Sequence, residues 1–88
     1  MENAQVNFPE KNGQISLDNI NSGKKVRICG INGGKGIYRR LLSLGIIPGN
    51  EVEVVSIHPW GGPVILKLDD TQLAMGRGMA RKVQVVEL

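Results

Sequence analysis

The apolar residues fall in short runs with a period of two, a pattern that predicts strands rather than long helices. Over residues 24–31, Val26 and Ile28 face one side and Lys25 and Arg27 the other, and Gly30 with Asn32-Gly33-Gly34 ends the run. Over residues 51–57 the alternation begins with Val52 and Val54 inward, then changes phase at Val55 and Ile57. Such a change predicts a bulge, or a strand bending around a small barrel. Val64, Leu66 and Leu68 predict a third strand with Lys67 outward, closed by a turn at Asp69-Asp70. Residues 71–73 are expected to pair only briefly. Gly76-Arg77-Gly78 breaks the period, and Val83 and Val85, with Leu88, predict a last strand.

One segment has helical spacing. At about 100° per residue, Ile37, Tyr38, Leu41, Leu42 and Leu44 fall within an arc of about 160°, leaving Arg39, Arg40 and Ser43 the opposite face. The spacing predicts a helix over residues 35–44. Gly45 stands where a left-handed residue ends a helix, and Pro48-Gly49 suits the centre of a type II turn. Upstream, Ile15, Leu17 and Ile20 around Asp18-Asn19 predict a leading segment with one helical turn, ending at Ser22-Gly23. Residues 1–14 have no apolar period and are expected to form a flexible N-terminal tail. Residues 15–88 then form one domain, without a repeat, linker or low-complexity block. Four to five short strands and one short helix indicate a small barrel; a doubly wound sheet needs several helices and longer crossovers.

Composition sharpens this picture in two places. Twelve glycines stand in 88 residues, about twice the number that average usage of roughly 7% would give, in keeping with many tight turns. Cys29 is the one cysteine, so neither an internal disulfide nor a thiolate zinc cluster forms within one chain. A secreted domain of this size ordinarily needs disulfides, no apolar run approaches the ~20 residues of a membrane span, and residues 1–14 lack the order of a signal peptide. The expected location is cytoplasmic.

The net charge is +3, from eleven basic and eight acidic side chains. The basic residues come in short groups (Lys24, Lys25 and Arg27; Arg39 and Arg40; Arg77, Arg81 and Lys82) rather than the concentrated stripe that neutralises several phosphates. Phe8, Tyr38 and Trp60 are the only aromatics, and Tyr38 falls on the core side of the helix. The stacking platform of a nucleic-acid-binding barrel is therefore missing, and no nucleic-acid partner is expected.

The candidates for chemistry are few. Cys29 and His58 could meet in space, yet nothing in the sequence pairs a nucleophile with a base, and no catalytic residues are expected. Ferrous iron with open positions favours two histidines and a carboxylate, and the chain holds one histidine. His58 with Asp69 or Asp70 is the weak metal candidate, a genuine site requiring a partner or a second copy. Gly30-Ile31-Asn32-Gly33-Gly34-Lys35-Gly36 approaches a phosphate-binding loop and fails twice: Cys29 fills the first glycine position and Gly36 replaces the magnesium-binding hydroxyl. A tight strand-to-helix turn is the expected role, although the amides at the helix start could attract an anion. Arg39, Arg40 and Ser43 form either a solvated helix face or a docking face, since arginine is enriched at interfaces. Trp60, in a loop of proline and glycine, is either a binding residue or a cap over one end of the barrel.

Taken in order, these features resemble a known family. Arg39-Arg40-Leu41-Leu42-Ser43-Leu44-Gly45 runs into Ile46-Ile47-Pro48-Gly49 and then Glu51-Val52-Glu53-Val54-Val55. Gly62-Pro63 before Val64, and the stretch from Leu73-Ala74-Met75-Gly76 through Met79-Ala80 to Val83 and Val85, continue the match. The chain from residue 15 to 88 resembles the FeoA family, although many relatives carry charged residues in place of Gly76, Gly78 and Met79. The resemblance implies a mainly β fold, a small SH3-like β-barrel of about five strands with one short α-helix, related to the C-terminal domain of iron-dependent repressors. It also implies a non-enzymatic accessory of bacterial ferrous-iron uptake that binds the cytosolic part of a FeoB-type transporter, a membrane permease with a GTPase domain. The chain would then be peripheral to the membrane through that partner, with Arg39, Arg40, Ser43, Trp60 and Arg77 as the docking residues. The alternative that stays open is a sensor or chaperone binding ferrous iron or another divalent transition metal.

Overall fold

The computed structural model describes residues 13–57 and 60–88. Strand β1 (Ile15–Ser16) leads into a 3-10 turn (Leu17–Asn19), strand β2 (Lys25–Ile31), helix α1 (Lys35–Ser43) and strand β3 (Glu51–Ile57). Strands β4 (Val64–Leu68) and β5 (Thr71–Met75), the one-turn helix α2 (Arg77–Ala80) and strand β6 (Val83–Glu87) complete the chain. The six strands form one antiparallel sheet in the order β1-β6-β2-β3-β4-β5.

The alternation in the sequence decides what is buried. Val26 and Ile28, Val52 and Val54, Val64 and Leu66, and Val83 and Val85 all point into one core, which α1 covers with Leu41 and α2 with Ala80. Leu17, Ile20, Ile31, Ile46 and Met75 fill the remainder. The phase change in β3 is a bulge: the β3–β4 register slips between Val54 and Ser56, and Ile57 then packs against the core. A second slip lies in β2, between Ile28 and Gly30, and turns Ile31 inward. Each bulge adds one residue to one strand only, so the sheet bends there and its apolar face stays on the inside.

Several boundaries differ from those the pattern predicts. Strand β2 begins at Lys25, one residue later than expected, although the Lys24 carbonyl still accepts the Val54 N–H. Helix α1 stops at Ser43, and Leu44, expected on the apolar arc, is exposed. Strand β5 is a full five-residue strand in register with β4, longer than the brief pairing expected over residues 71–73. Gly76-Arg77-Gly78 is the start of α2, since Met79 and Ala80 both donate back to the Gly76 carbonyl. Leu88 lies past β6 and is exposed rather than inward. Of the expected tail, residues 1–12 lie outside the described residues.

Both helices also begin alike. Gly34-Lys35-Gly36-Ile37-Tyr38-Arg39-Arg40 and Gly76-Arg77-Gly78-Met79-Ala80-Arg81-Lys82 each run glycine cap, basic residue, glycine, apolar residue, and then two basic positions at the end.

Within α1, Gly36 has ordinary helical geometry, and an added Cβ there meets nothing within 4 Å. Gly36→Ala is expected to raise stability by about 0.5–1 kcal/mol, by reducing the freedom of the unfolded chain. Denaturant titration checks this, and a loss of stability would mean that a neighbour occupies the space.

Candidate partner-binding surface

Arg39, Arg40 and Ser43 lie on the solvent side of α1, because Leu41 is drawn into the core and Ile37 and Tyr38 pack at its margin. Neither arginine takes part in an ion pair among the described residues, so both guanidinium groups present their donors to solvent. Ser43 is turned back on the helix, its hydroxyl donating to the Arg40 carbonyl at 2.7 Å. That bond occupies the hydroxyl proton and leaves its oxygen lone pairs outward.

Trp60 is 92% exposed and lies between β3 and β4. Of the two roles open to it, capping the barrel does not hold, since a cap would bury the indole. Arg77, by contrast, is half-buried at the first turn of α2. This helix packs on the 3-10 turn, where Arg81 Nε lies 3.6 Å from Asp18 Oδ2 and the Ser16 hydroxyl donates to Asp18 Oδ1 at 2.7 Å. The end of α2 also adjoins the start of α1: the Asn32 N–H donates to the Lys82 carbonyl at 2.7 Å, and the Lys82 stem lies over Gly33. Lys82, just past α2, therefore lies beside the turn into α1.

His58 lies outside the described residues. Asp69 and Asp70 are both exposed in the two-residue turn between β4 and β5, with Asp69 in the left-handed region at φ 51°. Aspartate is one of the few residues that adopts this region at modest cost. Among the described residues no group of three His, Cys, Asp or Glu side chains is placed to hold a metal ion. Cys29 sits half-buried at the β2 bulge, its thiol 3.8 Å from the Arg27 carbonyl.

Two features escaped the linear pattern. One is a shallow groove of about 300 Å³ on the outer face of the sheet, lined by Lys25, Glu51, Val52, Glu53, Lys67 and Asp69. Register builds it: Lys25 stands opposite Glu53 and Glu53 opposite Lys67, while Arg27 stands opposite Glu51 and bonds to it at 3.1 Å. The other is an exposed apolar pair, Leu44 and Ile47, on either side of the Gly45 turn. Outward positions in each strand are readable from alternation, but which of them become neighbours depends on pairing.

With this geometry in place, comparisons with known proteins agree with one another. The family model described as the FeoA domain matches residues 15–87. The putative Fe(2+) transport protein A of Methanocaldococcus jannaschii is 38% identical over 63 residues, covering 72% of this chain and 74% of that protein. The crystal structure of an iron uptake regulatory protein (FeoA) superposes with a TM-score of 0.80 at 32% identity, over 85% of this chain and 99% of that one. A manganese-dependent transcriptional repressor gives a TM-score of 0.80 at 19% identity, over 90% of this chain and 44% of the repressor. The last likeness is one of fold alone and matches the SH3-like domain of metal-dependent repressors. No described helix is long and apolar enough to cross a membrane.

Proposed function

The chain belongs to the FeoA family, and from that premise we propose that it is a non-catalytic accessory of ferrous-iron uptake that docks on the cytosolic part of a FeoB-type transporter. What carries the reading is Trp60. An indole left 92% exposed contributes little to its own fold, and tryptophan is a side chain that dominates binding when a partner desolvates it. The exposed Arg39 and Arg40 supply planar, always-charged donors suited to carboxylates on the partner. Docking through these groups acts on transport by favouring one state of the GTPase domain over another, and its effect is bounded by the difference in affinity for the two states. The action takes place in the cytoplasm, at the membrane surface, through that partner.

The test is an NMR titration of the labelled protein with the soluble GTPase domain of the same organism's transporter, with and without a GTP analogue. Shifts clustered on Arg39, Arg40 and the Trp60 loop are expected. Trp60→Ala should weaken binding at least roughly tenfold. Arg39→Glu combined with Arg40→Glu should weaken it further and reverse its salt dependence, since salt then screens a repulsion. Both variants should keep the native spectrum. Absence of shifts at high partner concentration, or unfolding of the variants, would overturn the assignment of these residues.

A further inference from the structure

Among the described residues the sheet does not close on itself in its hydrogen bonding: its two edges are β1, of two residues, and β5, of five. In the β4–β5 hairpin Leu68 pairs with Thr71, Leu66 with Leu73, and Val64 with Met75. A two-residue hairpin closes on a hydrogen-bonded pair, and such pairs alternate along an antiparallel ladder. The backbone groups of Thr71, Leu73 and Met75 therefore turn toward β4, and those of Gln72 and Ala74 turn away from it. Gln72 and Ala74 are both exposed, and neither backbone bonds to any described residue outside the hairpin. The strand carries no charge, no proline and no bulge, the devices by which natural edges avoid pairing.

We propose that β5 pairs with β5 of a second copy of this chain, antiparallel about a two-fold axis at Leu73, so that the two sheets run on into one. Three features favour a second copy over an unrelated strand. First, this register sets Gln72 of each copy opposite Ala74 of the other, so both outward-facing residues form hydrogen-bonded pairs, with two bonds in each. Shifting the register by two residues leaves one of them unmatched. Second, Leu73 meets Leu73 of the second copy on the core side of the sheet, an apolar pair already half-buried in each. Third, the strand has ends of opposite charge, Asp69 and Asp70 before it and Arg77 beyond it. Antiparallel pairing brings the acidic end of each copy to the basic end of the other, whereas parallel pairing would set like charges together. The interface is isologous, so it closes as a dimer and does not propagate.

The discriminating variant is Ala74→Pro. Proline removes an N–H that faces away from β4 and is tolerated on an edge, so the variant should fold normally while losing a bond from each pair. Sedimentation analysis of the full chain from micromolar to millimolar concentration is expected to show a reversible dimer, which Ala74→Pro weakens by at least roughly tenfold. Hydrogen exchange supplies a readout independent of the variant's folding. The Gln72 and Ala74 amides of the unmodified chain should exchange freely when dilute and become protected as the dimer forms. A chain that stays monomeric throughout, with both amides unprotected, overturns the proposal. So does a dimer that forms without protecting these amides, since it would use another surface. Protection that appears only on adding another protein would assign the edge to an unrelated strand instead.

Discussion

Replacing Leu41 with alanine is expected to lower stability by about 3 kcal/mol and the melting temperature by roughly 12–20 °C. Leu41 is fully buried and is the one residue of α1 that is. Its side chain joins the helix to the same core that Val26, Val54, Leu66 and Val85 build from four strands. Truncation removes the transfer energy of the lost carbons and opens a cavity that a sheet anchored on both sides cannot collapse to fill. Domains of this size are ordinarily stable by only about 5–15 kcal/mol, so this is a large fraction of the total. The control is Leu44→Ala. Leu44 follows three residues later on the expected apolar arc, yet is 40% exposed, and its truncation should cost less than about 1 kcal/mol. Equal losses from the two variants, in parallel chemical denaturations, would mean that α1 is seated differently from the geometry described.

The second large effect is expected at Gly45. Helix α1 ends in a Schellman motif: the Ile46 N–H donates to the Leu41 carbonyl at 2.9 Å, and the Gly45 N–H to the Leu42 carbonyl at 3.0 Å. The motif requires a left-handed residue at Gly45, whose φ is 92°. Ile46 and Leu41, the two residues it joins, are both fully buried. Gly45→Val adds a branched side chain in a backbone region that costs it roughly 1–3 kcal/mol, and its Cβ would lie 3.1 Å from Leu68 Cδ2. The total loss is expected to be about 2–4 kcal/mol. Gly45→Asn should recover part of it, because asparagine adopts this conformation more readily. If valine were tolerated without loss, the turn would have another conformation available.

Much of the fold was legible in the residues because its determinants are local. Gly45 and Pro48-Gly49 announce their turns through backbone sterics alone, and Gly49 takes φ 100° with the Asn50 N–H closing onto Ile47. The slip from Val54 to Ile57 marked the β3 bulge, since a change of phase in an alternating strand has few other causes. The β2 bulge at Cys29 carried no such mark: Gly30 follows it, and a glycine has no side chain to report which face it occupies. Helix α2 was hidden for a related reason. Four residues are too few to show a helical period, and its two glycines read as a break. The candidate surface was legible in part. Arg39 and Arg40 follow from the helical wheel, whereas nothing local decides whether Trp60 is exposed or caps the barrel.

By itself, then, the order of residues determined the class of the fold, the position of α1, the turn conformations and which side of each strand faces inward. These depend on sterics and on the partition of apolar side chains from water, both of which act within a few residues. The tertiary structure alone decided the strand order, the Lys25–Glu53–Lys67 ladder, the full length of β5 and the fact that β5 is left at an edge. Hydrogen bonding between strands is nearly indifferent to side-chain identity, so register emerges only when every strand shares one core. A strand that will stand at an edge has the same alternation as one that will stand in the middle.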